Sequence, residues 1–123
     1  MIGYVMLGTN NFYEAANFYD ELVGTLGAGR FMESESFIVW GTSPGAPSIS
    51  ICRPHDGNEA TVGNGVMVAI AADSREKVDE LYAKALELGG KDEGAPGQRM
   101  DNFYAGYFRD LDGNKLNAFY FGE

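Results

Sequence analysis

Few residues in this 123-residue chain have the types and spacing that chemistry needs, and each also has a structural use. The single histidine, His55, lies in Arg53-Pro54-His55-Asp56-Gly57. Its imidazole titrates near neutrality and suits acid–base work, although a histidine in a loop is more often simply solvated. The single cysteine, Cys52, follows Ser50 by two residues. It would serve as a nucleophile if a neighbour lowered its pKa, but only Arg53 is near in sequence, and a buried, inert thiol is the expectation. Asp110, Asp112 and Asn114 imitate the start of a calcium loop. No glutamate follows in Leu116–Phe121 to close the coordination, so Asp112-Gly113 reads as a hairpin turn instead. Gly89-Gly90 and Gly94-Ala95-Pro96-Gly97 are glycine-rich, yet neither follows a strand and opens a helix, as a phosphate cradle requires.

Composition narrows the classes. A chain of 13.3 kDa with 45% hydrophobic residues is one domain with room for a real core. The net charge of −9 is shared between the halves and leaves no basic stripe for nucleic acid. An acidic surface favours a cationic ligand, or serves only solubility. One cysteine permits no internal disulfide, and Met1–Gly8 lacks the basic region of a signal peptide, so a reducing, cytoplasmic setting is expected.

Two segments carry helical period. Phe12, Ala15, Ala16, Tyr19, Leu22 and Val23 share one face, with Asn11 as the expected N-cap and Glu14 three residues on. Val78, Leu81, Tyr82, Ala85 and Leu86 form the second stripe, opened by Asp73 or Ser74 and stopped by Gly89-Gly90. The rest reads as strands near 2–9, 28–33, 36–41, 47–53, 65–72, 91–95, 102–109 and 115–121. The order is βαβββ twice, in modules of about 1–57 and 64–123 joined by a polar link.

Alternation splits each strand into two faces. Val5, Leu7, Ile49, Ile51, Val66, Val68, Ile70, Leu116 and Ala118 make aliphatic sets fit to lie under helices. The opposite sets, with Tyr4, Met6, Ser50, Cys52, Met67, Lys115, Asn117 and Phe119, are mixed. A mixed face suits a small-molecule pocket, and it equally suits a second core or a dimer interface. Aromatics are plentiful in the strands: Trp40, Phe103, Tyr104, Tyr107, Phe119 and Phe121. Some of them are candidates to line a cavity, where a flat or cationic ligand could stack. Tyr107 and Arg109 share a face and are the favoured lining residues over Tyr104, while Phe12 and Phe31 are assigned to the core.

The ending Tyr107-Phe108-Arg109-Asp110-Leu111-Asp112-Gly113-Asn114-Lys115-Leu116-Asn117-Ala118-Phe119 resembles the last hairpin of the vicinal oxygen chelate superfamily, the glyoxalase, bleomycin-resistance and extradiol dioxygenase group. The opening Ile2–Asn10, the Ala- and Tyr-rich helix after it, and the strand Gly65–Ile70 are also similar to it. The resemblance implies an α+β fold in which two βαβββ modules form a cupped, eight-stranded mixed sheet with helices outside. It also implies a homodimer. Metal-using relatives carry histidine and glutamate ligands on four strands, at positions that fall here on Tyr4, Ser50, Met67 and Asn117. A phenol, a hydroxyl, a thioether and an amide bind a divalent ion poorly. No cofactor is therefore expected.

Three functions stay open. The first is a metal-free small-molecule binding protein of the bleomycin-resistance type, with a pocket of Tyr4, Met6, Ser50, Cys52, Met67, Tyr107, Arg109, Asn117 and Phe119. The second is a metal-dependent glyoxalase-type lyase or dioxygenase. The third is a metal-independent enzyme moving a proton with Tyr4, Tyr107 or His55.

Overall fold

The computed structural model describes all of residues 1–123 and divides them into two compact units, Met1–Val62 and Gly63–Glu123. The first contains β1 (Tyr4–Gly8), α1 (Phe12–Gly24), β2 (Gly29–Glu33), β3 (Phe37–Gly41) and β4 (Ser48–Cys52). The second contains β5 (Val68–Ala71), α2 (Arg75–Glu87), β6 (Lys91–Met100), β7 (Phe103–Arg109) and β8 (Lys115–Phe121). Each module has its own four-stranded mixed sheet, ordered β1-β4-β3-β2 and β5-β8-β7-β6. In both, the strand before the helix pairs in parallel with the last strand of the module. The fold is α+β with the expected repeat. No helix is long and apolar enough to cross a membrane.

In the first module α1 buries Phe12, Ala15, Ala16, Phe18, Tyr19, Leu22 and Val23. They belong to the same buried core as Leu7, Ile38, Trp40 and Ile51. Each large side chain so buried contributes about 1.5–3 kcal/mol. Trp40 is completely enclosed, and its indole Nε1–H donates to Asp20 Oδ1 at 2.8 Å. Arg30 closes on the same carboxylate with two hydrogen bonds, of 2.8 and 2.7 Å. Those guanidinium bonds hold Asp20 below the usual carboxylate range, partial burial opposes them, and the Trp40 bond lowers it further. Trp40 is therefore core rather than cavity lining.

The second module repeats the scheme. Val78, Leu81 and Ala85 of α2 are buried, as are Phe108, Leu116 and Ala118 of the sheet. The Ser74 hydroxyl caps α2 by accepting from Lys77 N–H at 3.1 Å. Tyr104 points to the helix and donates to Asp79 Oδ1 at 2.6 Å, a bond that raises its phenol pKa. Tyr104 is thus spent on packing, as its face suggested.

Four expectations need correction. Asn11 sits at the N-cap of α1 but makes no side-chain cap; Thr9 Oγ1 instead accepts from Asn11 N–H at 3.0 Å. The fifth strand starts at Val68, not 65, because Val66 N–H closes a turn onto Gly63 O and Gly65 takes a φ of +92°. Met67 therefore lies just outside the strand. The sixth strand runs to Met100, straight through Gly94-Ala95-Pro96-Gly97. It is the edge strand, where a proline costs no ladder bond, and register shifts at the glycines absorb the irregularity. Phe31, assigned to the core, is 59% exposed, with its ring edge over Gly41.

Candidate functional site

On the helix-free face of the first sheet, register places Tyr4 beside Ser48, Met6 beside Ser50, and Gly8 beside Cys52. Phe37 and Val39 of β3 continue the same face, opposite Cys52 and Ser50. Tyr4 and Met6 are 64% and 46% exposed. Ser50 is fully buried, and its hydroxyl donates to Val5 O at 2.8 Å across the parallel pair. That hydroxyl is spent on the backbone. Burial pushes the Cys52 thiol pKa up, so at neutral pH it is a protonated, weak nucleophile. His55 is exposed in its loop.

The corresponding face of the second sheet carries more polar chemistry. Across β7 and β8, Tyr107 lies opposite Asn117, Ala105 opposite Phe119, and Arg109 opposite Lys115. Phe103 and Phe119 stack at 5.6 Å. Asn117 is 1% exposed, and its Oδ1 is fully buried without a hydrogen-bond partner. An orphaned buried acceptor is expensive, of order 1–3 kcal/mol, and it marks this point of the face. Arg109 pairs with Glu93 and also donates to Gly113 O at 3.0 Å. Arg109 is therefore largely a structural tie between β6, β7 and the hairpin.

Lys115, which alternation sets on the face of Asn117 and Phe119, and Arg99, which no local pattern singles out, complete this face. The Arg99 guanidinium lies over the Tyr107 ring at 5.3 Å, and the Lys115 ammonium at 5.6 Å. For Arg99 the signal in the sequence is the glycine pair before it. Its meaning, room for a folded-back side chain, emerges only in three dimensions.

The turn at Asp110–Asn114 is a closed hairpin loop. Asp110 Oδ1 accepts from the N–H groups of Asp112 and Asn114, both at 2.9 Å, while Oδ2 accepts from Asn114 Nδ2 at 3.0 Å. Gly113 takes a φ of +93°, as the last residue of a three-residue loop requires. A groove of about 240 Å³ lies between α1 and the β2–β3 turn, with Phe12, Tyr13 and Glu33 among its walls. It is small for a ligand site and belongs to the helix side of its sheet.

No group of three or more His, Cys, Asp or Glu side chains is placed to hold a metal ion. The four positions implied by resemblance do not fit one. Tyr4 is an exposed phenol, Ser50 is hydrogen-bonded to the backbone, Met67 is an exposed thioether off the strand, and Asn117 offers an uncharged amide.

The sequence model of the Glyoxalase/Bleomycin resistance protein/Dioxygenase superfamily matches residues 1–118. Among solved structures, a glyoxalase/bleomycin resistance protein from Albidiferax ferrireducens is 39% identical, with a TM-score of 0.90 and 98% of each chain covered. A glyoxalase/bleomycin resistance protein/dioxygenase family enzyme from Burkholderia phytofirmans is similar in fold at 18% identity, with a TM-score of 0.75 and 97% of each chain covered. So is a lactoylglutathione lyase from Agrobacterium tumefaciens, at 18% identity and a TM-score of 0.71, covering 98% of this chain and 92% of that one. None of the curated proteins compared matches. The chain belongs to the Glyoxalase/Bleomycin resistance protein/Dioxygenase superfamily.

Proposed function

We propose that this protein is a small-molecule binding member of the superfamily that works without the family's metal site. The observation that carries the reading is the donor set at the four ligand positions, above all Ser50, whose hydroxyl is committed to Val5 O. A divalent ion acting as Lewis acid needs anionic or imidazole donors to hold it, and Tyr4, Ser50, Met67 and Asn117 supply none. Each sheet by itself has a mixed face, with Tyr4, Met6 and Cys52 in the first module and Tyr107, Asn117 and Phe119 in the second, and either supports the reading with apolar surface and a few polar groups. Proton transfer has no support of the usual kind, since no hydrogen bond joins Tyr4, Tyr107 or His55 to an orienting carboxylate. The resemblance adds a homodimer to this proposal.

The test is binding without turnover. A diverse small-molecule panel is screened by thermal shift, and each hit is incubated with the protein and recovered. The expected result is saturable stabilisation, with every ligand recovered chemically unchanged. Conversion of any hit at a rate proportional to protein concentration, retained after chelation, contradicts the binding-only reading.

A further inference from the structure

We infer that Arg99, Lys115 and Tyr107 form an anion subsite on the second module, one that takes a small hydroxycarboxylate with its hydroxyl directed to Asn117. This deepens the binding reading above and rests on it. Three independent features carry it.

The first is how Arg99 is held. It is not paired with a carboxylate; its Nη2 donates to Ala95 O. Its guanidinium lies on a shelf made by two glycines of β6. A Cβ at Gly97 would stand 3.0 Å from Arg99 Nη1, and one at Gly94 would stand 3.3 Å from Nη2. Gly94 also has a φ of +146°, which other residues rarely adopt. The irregular Gly94-Ala95-Pro96-Gly97 stretch thus holds a positive charge against the Tyr107 ring through backbone, and the donors not given to Ala95 O stay available. A guanidinium so presented matches carboxylate or phosphate geometry.

The second is Lys115. No ion pair involves it, and its ammonium reaches the same ring as Arg99. Two cations without carboxylate partners beside one aromatic ring make a locally positive spot to which an anion is attracted. The protein as a whole carries −9, so the local sign here is opposite to the global one. Glu93 is the carboxylate paired on this face, and it is neutralised by Arg109. The acidic total, which serves solubility or a cationic ligand, does not describe this site, whose charges select an anion.

The third is Asn117. Register sets it directly opposite Tyr107 and two residues along β8 from Lys115, on the same face. Its buried Oδ1 accepts from nothing. A ligand with a hydroxyl beside its anionic group satisfies that acceptor while its charge meets Arg99 and Lys115. A bare anion leaves it orphaned. The class is therefore hydroxycarboxylate rather than simple phosphate or acetate.

Titration of isotope-labelled protein with glycolate, acetate, inorganic phosphate and the neutral isostere glycolamide, followed by NMR, tests the assignment. Glycolate is expected to move the Asn117 side-chain amide and the Tyr107 and Lys115 signals. Glycolamide should bind roughly ten-fold or more weakly, since it lacks charge-assisted bonds, and acetate and phosphate should leave the Asn117 signal in place. Arg99→Gln and Lys115→Gln should each weaken glycolate roughly ten-fold. Gly97→Ala should weaken it without changing any charge, by displacing the guanidinium. Equal binding of glycolate and glycolamide, or unchanged affinity in both charge variants, overturns the subsite but leaves a binding protein standing. Absence of glycolate binding at millimolar concentration also overturns it, and the wider ligand panel then decides the binding reading separately.

Discussion

Trp40→Ala is expected to destabilise the protein by about 3–5 kcal/mol. The indole is 1% exposed and lies 5.6 Å from the Tyr19 ring, at the centre of the first module's core. Its Nε1–H also occupies Asp20, whose other interactions are the two bonds from Arg30. Truncation leaves a large cavity between α1 and the sheet. A loss of this size is a large share of the 5–15 kcal/mol that domains usually have. Urea unfolding followed by far-ultraviolet circular dichroism reads it, because Trp40 is the sole tryptophan and its fluorescence vanishes in the variant. Trp40→Phe keeps most of the apolar surface and should cost less, about 1–2 kcal/mol. A midpoint for Trp40→Ala equal to that of the unaltered protein would remove Trp40 from the core it is assigned to.

Asp110→Ala is expected to cost about 2–4 kcal/mol, by withdrawing the side-chain acceptor of three hydrogen bonds that hold the hairpin loop. Asp110 is 4% exposed and Asn114 8%, so water cannot replace the lost partner freely. Asp110→Asn retains an oxygen in the place of Oδ1 and should lose about 1 kcal/mol, chiefly the bond to Asn114 Nδ2. Calcium should leave the melting temperature of both variants and of the unaltered protein unchanged. Calcium-dependent stabilisation that disappears in Asp110→Ala would instead make the loop a cation site.

The helices and most strands were legible because burial imposes a period on the sequence. Phe12, Ala15, Ala16, Tyr19, Leu22 and Val23 all went to the core together, and Ser74 capped α2 as expected. What misled was punctuation. Gly94-Ala95-Pro96-Gly97 looks like a break, yet on an edge strand it is tolerated and makes a seat for Arg99. Gly65 looks neutral but delays β5 and leaves Met67 off the strand. Phe31 looks like core, but β2 is an edge strand exposed along its length.

The candidate site was legible in its faces and not in its charges. Alternation placed Tyr107 and Asn117 together and set Tyr104 on the helix side. It could not show that Ser50 is bound to Val5 O, that Asn117 Oδ1 is left unpartnered, or that Arg109 is tied to Glu93 while Arg99 is not. These are tertiary pairings between residues distant in sequence, or folded back along an irregular strand, and no local pattern encodes them.

The proposed function requires that this chain bind no metal at the positions where its metal-using relatives do. Elemental analysis of untagged, freshly purified protein for zinc, nickel, iron and manganese tests it most directly. The expected result is far less than one metal per chain, with no rise in melting temperature when each ion is added back. A stoichiometric metal that survives dialysis, with stabilisation lost on chelation, would contradict the account and return the protein to the metalloenzymes of its family.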